Sequence, residues 1–294
     1  MPRSEINAFP TPCTSPRTHR PTLDARTLRS SEKAWHYLLV RGPRGQHITP
    51  PKARTSYRLD RPVVSVVIPT LNEEAYIERT LRSLRDQDLD APYEIVIGDG
   101  YSTDNTLAIC SRYADKIVLE RKRTPAAGRQ SAVMQSSGRV LAFGCGDTLY
   151  PSNWLREITG PILRGEAAAV SGAVLPDDGT FFDMAGSKYV LLPLTWLSAK
   201  LGLYFTPGET IAFSRRAFDQ VGGFDTDKVT AEDLDLFKRV SRVSKVQFNP
   251  NARVYVSMRR VRKWGRARYV AYHFSNFISY HLFHGSHQVY EPVR

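Results

Sequence analysis

Carboxylates, with hydroxyls and a possible metal ligand beside them, occur in four short segments of this 294-residue chain. The first is Val63-Val64-Ser65-Val66-Val67-Ile68-Pro69-Thr70-Leu71-Asn72-Glu73-Glu74, the second Glu94-Ile95-Val96-Ile97-Gly98-Asp99-Gly100-Tyr101-Ser102-Thr103-Asp104. The third is Phe143-Gly144-Cys145-Gly146-Asp147-Thr148, the fourth Gly222-Gly223-Phe224-Asp225 followed by Glu232-Asp233. In the first three, polar residues come directly after an apolar, β-branched run. A positioned carboxylate can take a proton from an attacking hydroxyl. Carboxylate oxygens together with phosphate oxygens suit a hard divalent ion. In an open α/β sheet, ligands sit outside the carboxyl ends of the strands, so loops distant in sequence can supply one cleft.

The elements that must position these groups follow from pattern. Val63–Ile68 is a continuous apolar run of strand length, as expected of a strand buried on both faces. Ile77, Leu81 and Leu84 recur at helical spacing in Glu73–Asp86, with Glu73 and Glu74 in the first turn, where the dipole favours negative charge. Further strands are expected at 93–97, 116–119, 139–143 and 167–174, with helices at 104–114, 125–136 and 151–163. Pro125 near a helix start and Gly138 near its end agree with this reading. Strand–helix alternation from 63 to 174 predicts an α/β fold with a mostly parallel central sheet and helices on both faces. The second half is less regular: an apolar stretch at 187–205, a strand at 210–213, helices from Arg215 and over 231–243, and a long aromatic helix over 264–283. The stretch 189–205 carries Pro193 and Lys200 and is too short for a membrane span, so a buried or interfacial amphipathic element is expected.

Composition is that of a soluble globule: 41% hydrophobic and 24% charged. The net charge of +12 is uneven. Residues 1–61 hold 12 Lys/Arg against 4 Asp/Glu, and residues 236–290 hold 11 Lys/Arg and no acid. Such blocks want an anionic partner or solvent: a diphosphate, an anionic membrane surface or nucleic acid. Cys13, Cys110 and Cys145 are odd in number and far apart, with no Cys-x-x-Cys spacing, which argues against a disulfide framework and a structural zinc site and fits a reducing compartment. The first thirty residues lack an apolar signal core, so a cytoplasmic location, with contact at the cytoplasmic face of a membrane, is expected. Domain limits are read as a basic, largely disordered extension over 1–61, a folded domain over 62–262 and an aromatic, basic helix and tail over 263–294.

The order and spacing of VSVVIPTLNEE, DGYSTDNT and GGFD-x6-AED-x-DLFKRV resemble a family 2 glycosyltransferase of GT-A fold over about residues 62–262. The resemblance implies a Rossmann-like sheet with a smaller acceptor-side half, and transfer of a sugar from a UDP- or GDP-linked donor to a glycan or lipid-linked acceptor with inversion. It implies that Pro69, Thr70, Asn72, Glu73, Asp99 and Arg129 hold the nucleotide. Arg259 and Arg260, with Arg262 and Lys263, would close over the diphosphate. Asp147 would bind Mn2+ or Mg2+, Asp233 would be the catalytic base and Glu232 its support. Gly208, Glu209 and Thr210 would line the acceptor side.

The chain departs from the family pattern twice. Where two adjacent acids are usual after the second strand, it has Asp99-Gly100; where the family has Asp-x-Asp, it reads Cys145-Gly146-Asp147. Weaker metal binding is therefore expected. Two other readings compete. A sugar nucleotidyltransferase wants a glycine-rich, basic loop after the first strand, and the acidic PTLNEE counts against it. A basic nucleic-acid or membrane-binding protein on a decayed transferase would suit the acid-free block; nucleic acid as a partner is not expected.

Overall fold

The computed structural model describes residues 61–283. The helix expected at Ser31–Leu39 and nearly all of the basic extension lie outside those residues. Eight strands form one sheet: β1 (Val64–Thr70), β2 (Tyr93–Asp99), β3 (Lys116–Leu119), β4 (Val140–Phe143), β5 (Thr148–Leu149), β6 (Ala169–Pro176), β7 (Ile211–Ser214) and β8 (Val246–Val256). Their order is β3-β2-β1-β4-β7-β6-β8-β5. The β3-β2-β1-β4 half is parallel throughout. β7 runs antiparallel to β4 and β6, β8 is parallel to β6, and β5 is antiparallel to β8 at the edge.

The described residues form ten α-helices, eight before β8 and two after it: α1 (Ile77–Arg85), α2 (Thr106–Cys110), α3 (Pro125–Gln135), α4 (Trp154–Leu163), α5 (Phe181–Gly186), α6 (Leu192–Lys200), α7 (Arg215–Gln220), α8 (Glu232–Ser241), α9 (Arg259–Trp264) and α10 (Arg266–Phe283). One wide π-helical turn over Ser187–Leu191 joins α5 to α6.

The parity of the strands sorts the core into two layers, because successive side chains point to opposite faces. Val64, Val66, Ile68, Ile95, Ile97, Val140 and Ala142 face α1, α2 and α4 through Ile77, Leu81, Leu84, Cys110, Trp154 and Ile158. Val67, Val96, Leu141 and Phe143 face α3, α7 and α8 through Ala126, Val133, Phe218 and Phe237. Both layers are fully or almost fully buried. This explains why the first strands read as unbroken apolar runs rather than alternating ones. Thr124 caps α3 by accepting from the Ala127 N–H, with Pro125 at its first turn.

The helix after β1 starts later than expected, at Ile77, because the backbone of residues 72–74 bonds to the loop after β2 instead of entering a helix. α10 packs on α8 through Tyr280, which joins Ala231 and Leu234 with Phe277 alongside.

Candidate functional site

The loops after β1 and β2 are joined backbone to side chain. The N–H groups of Asn72, Glu73 and Glu74 donate to Ser102 Oγ (2.8 Å), Thr106 Oγ1 (2.7 Å) and Asp104 Oδ2 (3.2 Å). Asn72 Oδ1 accepts from the Thr103 N–H at 2.8 Å. Asp99 is fully buried and accepts from Thr70 Oγ1 at 2.7 Å, the Ser102 N–H at 2.7 Å and Ser102 Oγ at 2.6 Å. The structure thus brings Thr70, Asn72 and Asp99 together, with their polar atoms turned on each other. Pro69 sits in β1, paired with Gly98 and beside the backbone of α3 at Gly128. Asn72, Tyr101, Arg123 and Ala231 are the non-glycine residues with left-handed φ among the described residues. Each lies in a loop near the groups discussed here, and such strained backbone is retained where the surroundings over-determine it.

Arg259 spans the next gap. Its guanidinium lies 2.8 Å from Glu73 Oε2 and 2.9 Å from Asp147 Oδ2, and stacks over the Tyr76 ring at 4.7 Å. The three charged side chains are only 10–16% exposed. Glu73 and Asp147 therefore face one cation from two loops. Arg260 lies over Trp264 at 5.2 Å, and its charge reaches Glu209 and His273. The basic run 259–263 forms helix α9, with Arg262 paired to Asp178 at 2.8 Å.

Arg129, expected beside the nucleotide, projects toward the fourth motif. It is buried and bonds Glu232 Oε1 at 2.5 Å, the Gly208 carbonyl at 3.2 Å and Cys145 Sγ at 3.5 Å, with Phe224 under it at 5.8 Å. Gly222-Gly223-Phe224 earns its glycines here: both have positive φ, and the turn they make puts Phe224 against Phe143 and Arg129. Asp225 instead serves its own turn by accepting from the Asp227 N–H.

Glu232 and Asp233 open α8. Burial, and then the charge of Glu232, push the Asp233 carboxyl up to about 8, while Arg129 opposes the rise. Burial also raises Glu209, which senses Asp147 and Arg129. Cys145 is raised well above the ordinary thiol range, chiefly by burial, and its sulfur accepts from Arg129 Nη2 at 3.5 Å.

Thr210, expected on the acceptor side, turns its side chain inward. It is fully buried, its hydroxyl accepting from Trp154 Nε1 at 3.0 Å and donating to the Ala252 carbonyl, so it anchors the loop from below. Tyr150 was not anticipated. Its buried hydroxyl accepts from the Cys145 N–H at 2.9 Å and donates to the Glu209 carbonyl at 3.3 Å, fixing the two loops together.

Gly208 approaches two charged groups of the site closely. A Cβ there would stand 2.6 Å from Arg129 Nη2 and 2.9 Å from Asp233 Oδ2. Gly208→Ala is expected to push both groups aside and to lower kcat by about 10²-fold, the scale of an ångström-sized displacement of catalytic groups. Steady-state kinetics of a variant with unchanged circular dichroism checks it; wild-type kcat would mean the loop yields freely.

The model of the family described as "Glycosyl transferase family 2" matches residues 65–222, more than half of the chain. The chain belongs to glycosyl transferase family 2. Among relatives, it is 30% identical over 129 residues to the glycosyltransferase AglE of Haloferax volcanii, covering 40% of this chain and 42% of that protein. The chain spans about half the length, or less, of the curated relatives it matches. Among solved structures it is similar to the mannosyltransferase PcManGT from Pyrobaculum calidifontis in complex with GDP-Man and Mn2+ (TM-score 0.59, 23% identity, covering 77% of this chain and 66% of that one). It is also similar to S. aureus TarS 1–349 in complex with UDP (TM-score 0.54, 20% identity, 74% and 65%). These likenesses establish a shared GT-A fold, and the matched residues 65–222 take in nearly all of the first three segments above and only the first residue of the fourth.

Proposed function

We propose that the chain is a glycosyltransferase that moves a sugar from a UDP- or GDP-linked donor to an acceptor hydroxyl, inverting the anomeric carbon in one in-line displacement. The observation that carries this reading is the continuous run of charged groups from Glu73 through Arg259 and Asp147 to Glu209, Arg129 and Asp233. These groups come from three loops, after β1, after β4 and before β7, and from helices α3, α8 and α9. Thr70, Asn72, Glu73 and Asp99 hold base and ribose. Arg259 and Arg260 meet the diphosphate, where a planar guanidinium makes paired bonds to phosphate oxygens. Asp233 takes the acceptor proton. Glu232, locked by Arg129, fixes the start of α8 so that Asp233 faces the loop at Gly208. A glycan or lipid-linked acceptor, and work at a cytoplasmic membrane face, belong to the same reading.

No group of three or more His, Cys, Asp or Glu among the described residues is placed to hold a metal. The Asp147 carboxylate nevertheless suits a hard cation that completes its shell with diphosphate oxygens and water. Bound there, Mn2+ or Mg2+ would offset the charge developing on the leaving diphosphate. In PcManGT and in a glucosyl-3-phosphoglycerate synthase from Mycobacterium tuberculosis, Mn2+ accompanies the nucleotide. The basic block 236–290 also has acids within the fold: Arg239 pairs with Asp235, Arg259 with Glu73 and Asp147, Arg262 with Asp178, and Arg266 with Asp183. Those pairs weaken the nucleic-acid alternative.

Thermal unfolding against UDP, GDP and their sugar conjugates, with and without Mn2+, tests the reading, because a ligand that binds only the folded state raises its stability logarithmically with concentration. One nucleotide class is expected to raise Tm, further with Mn2+; no shift with any of them defeats the proposal. Arg259→Met is expected to weaken that nucleotide about tenfold to hundredfold, the loss of a charge-assisted contact or two. Calorimetric titration measures it, and unchanged affinity would remove Arg259 from the diphosphate.

A further inference from the structure

The segment from α5 to the end of α6 breaks the rule that governs the rest of the chain. Phe181, Phe182, Tyr189, Val190, Leu191, Leu194, Trp196, Leu197, Leu201 and Leu203 are all between 41% and 81% exposed, and α6 buries only Thr195. Val190, Leu194, Leu197 and Leu201 recur at i, i+4, i+7 and i+11, which is one stripe of a helix. A stripe of that kind turned to water is larger than single exposed apolar residues account for.

Within 181–203 the one acid, Asp183, is paired with Arg266, and the other charges are lysines. Residues 184–208 contain Lys188 and Lys200 and no acid. Each lysine lies over an aromatic ring, Lys188 over Tyr189 at 5.4 Å and Lys200 over Trp196 at 3.7 Å. The bordering acids are already matched: Asp177 with Arg79, Asp178 with Arg262, Asp183 with Arg266. α10 is tied to the same segment twice, by Arg266 to Asp183 and by the Phe277 ring 6.4 Å from Phe205, and exposes Val270 and Phe274 between those ties.

We propose that this face, residues 181–203, docks on an anionic lipid bilayer, lying in the headgroup region with Leu194, Leu197 and Leu201 inserted and Lys188 and Lys200 at the phosphates. Apolar residues backed by lysines, with Trp and Tyr at the boundary, are the pattern of helices that lie in a membrane interface. No helix among the described residues is long and apolar enough to cross a membrane, so the contact is with one leaflet. Complementary charge favours lipid phosphate over a second copy of this chain, which would bring the same lysines against each other. The segment runs directly into Gly208 and Glu209, so docking would bring the loop beside Asp233 toward the membrane surface. The docking itself does not depend on the proposed transfer chemistry.

The test is co-sedimentation of the full chain with vesicles of phosphatidylcholine plus phosphatidylglycerol, and of phosphatidylcholine alone. The wild type is expected to pellet with the anionic vesicles and to be released as salt rises. Leu194→Glu with Leu197→Glu should weaken partitioning about tenfold or more, since buried apolar area sets interfacial affinity. Lys188→Glu with Lys200→Glu should abolish the preference for anionic lipid. Both pairs are exposed and away from the site, so Tm and its shift with nucleotide should stay as in the wild type, which separates this proposal from the donor-binding one. Wild-type protein left in the supernatant, or glutamate variants that pellet as the wild type does, would overturn it. So would self-association in sedimentation velocity that the Leu194/Leu197 pair abolishes without any vesicle binding.

Discussion

Asp233→Asn is expected to lower kcat by about 10²- to 10⁴-fold with little change in donor KM, the usual contribution of a positioned general base. The asparagine keeps size and hydrogen-bonding capacity at the start of α8, so the loss would report the missing proton acceptor. The pH profile sharpens the test. Because burial and Glu232 lift this carboxyl to about 8, wild-type kcat should climb with pH until about 8 and then level, while residual activity of the variant should lack that limb. Stability runs the other way. The folded state holds the Asp233 proton where the unfolded state has lost it, between the ordinary carboxylate pKa of about 4 and about 8. Stability is therefore greatest at the acid end of that window and falls as pH rises through it. Urea midpoints for wild type and Asp233→Asn at both ends of the window should show the wild type losing more. An acceptor that is already a phosphate anion needs no base; transfer by the asparagine variant at near wild-type rate would identify that case and remove Asp233 from proton transfer.

Arg129→Met carries the second large effect. Arg129 and Glu232 are 3% and 9% exposed, and the pair joins α3 to α8 across the site. Removing one partner of such a pair strands the other charge, at a cost of about 3–5 kcal/mol. That corresponds to a Tm lower by roughly 10 °C for a domain of this size. Chemical denaturation should show it, and Arg129→Met combined with Glu232→Gln should recover part of the loss, since no buried charge is then left alone. Arg129 also restrains the rise of the Asp233 carboxyl, so the activity limb of the single variant should move to higher pH. A variant as stable as wild type with an unmoved pH profile would mean that the guanidinium does neither job.

The parallel half of the sheet was legible because Val64–Ile68 and Glu94–Ile97 are buried on both faces, and double burial leaves an unbroken apolar run in the sequence. The acids at 73, 147 and 233 were legible because a motif fixes residue type and order together. Three things were not. β8 went unread because Pro250, Asn249 and Asn251 interrupt any strand pattern, and the strand exists through its pairing with β6. The apolar stretch after Phe181 gives no sign in sequence of whether it faces core or water, and the fold leaves most of it outside. The role of Arg129 depends on the direction its side chain takes from α3 toward Glu232, 103 positions away, which helical spacing does not encode. Tyr150 and Thr210 belong to the same class: a buried hydroxyl finds its partners only after the loops have met.

The clasp of Arg259 on Glu73 joins positions 186 apart in the chain. Contacts of such separation close late, because the intervening polymer must be ordered before they contribute anything. During synthesis the first strands leave the ribosome well ahead of α9, so Glu73 and Asp147 gain their shared guanidinium only after residue 259 has emerged. Translation products ending before residue 259 would keep every motif of the parallel sheet and still lack a finished pocket.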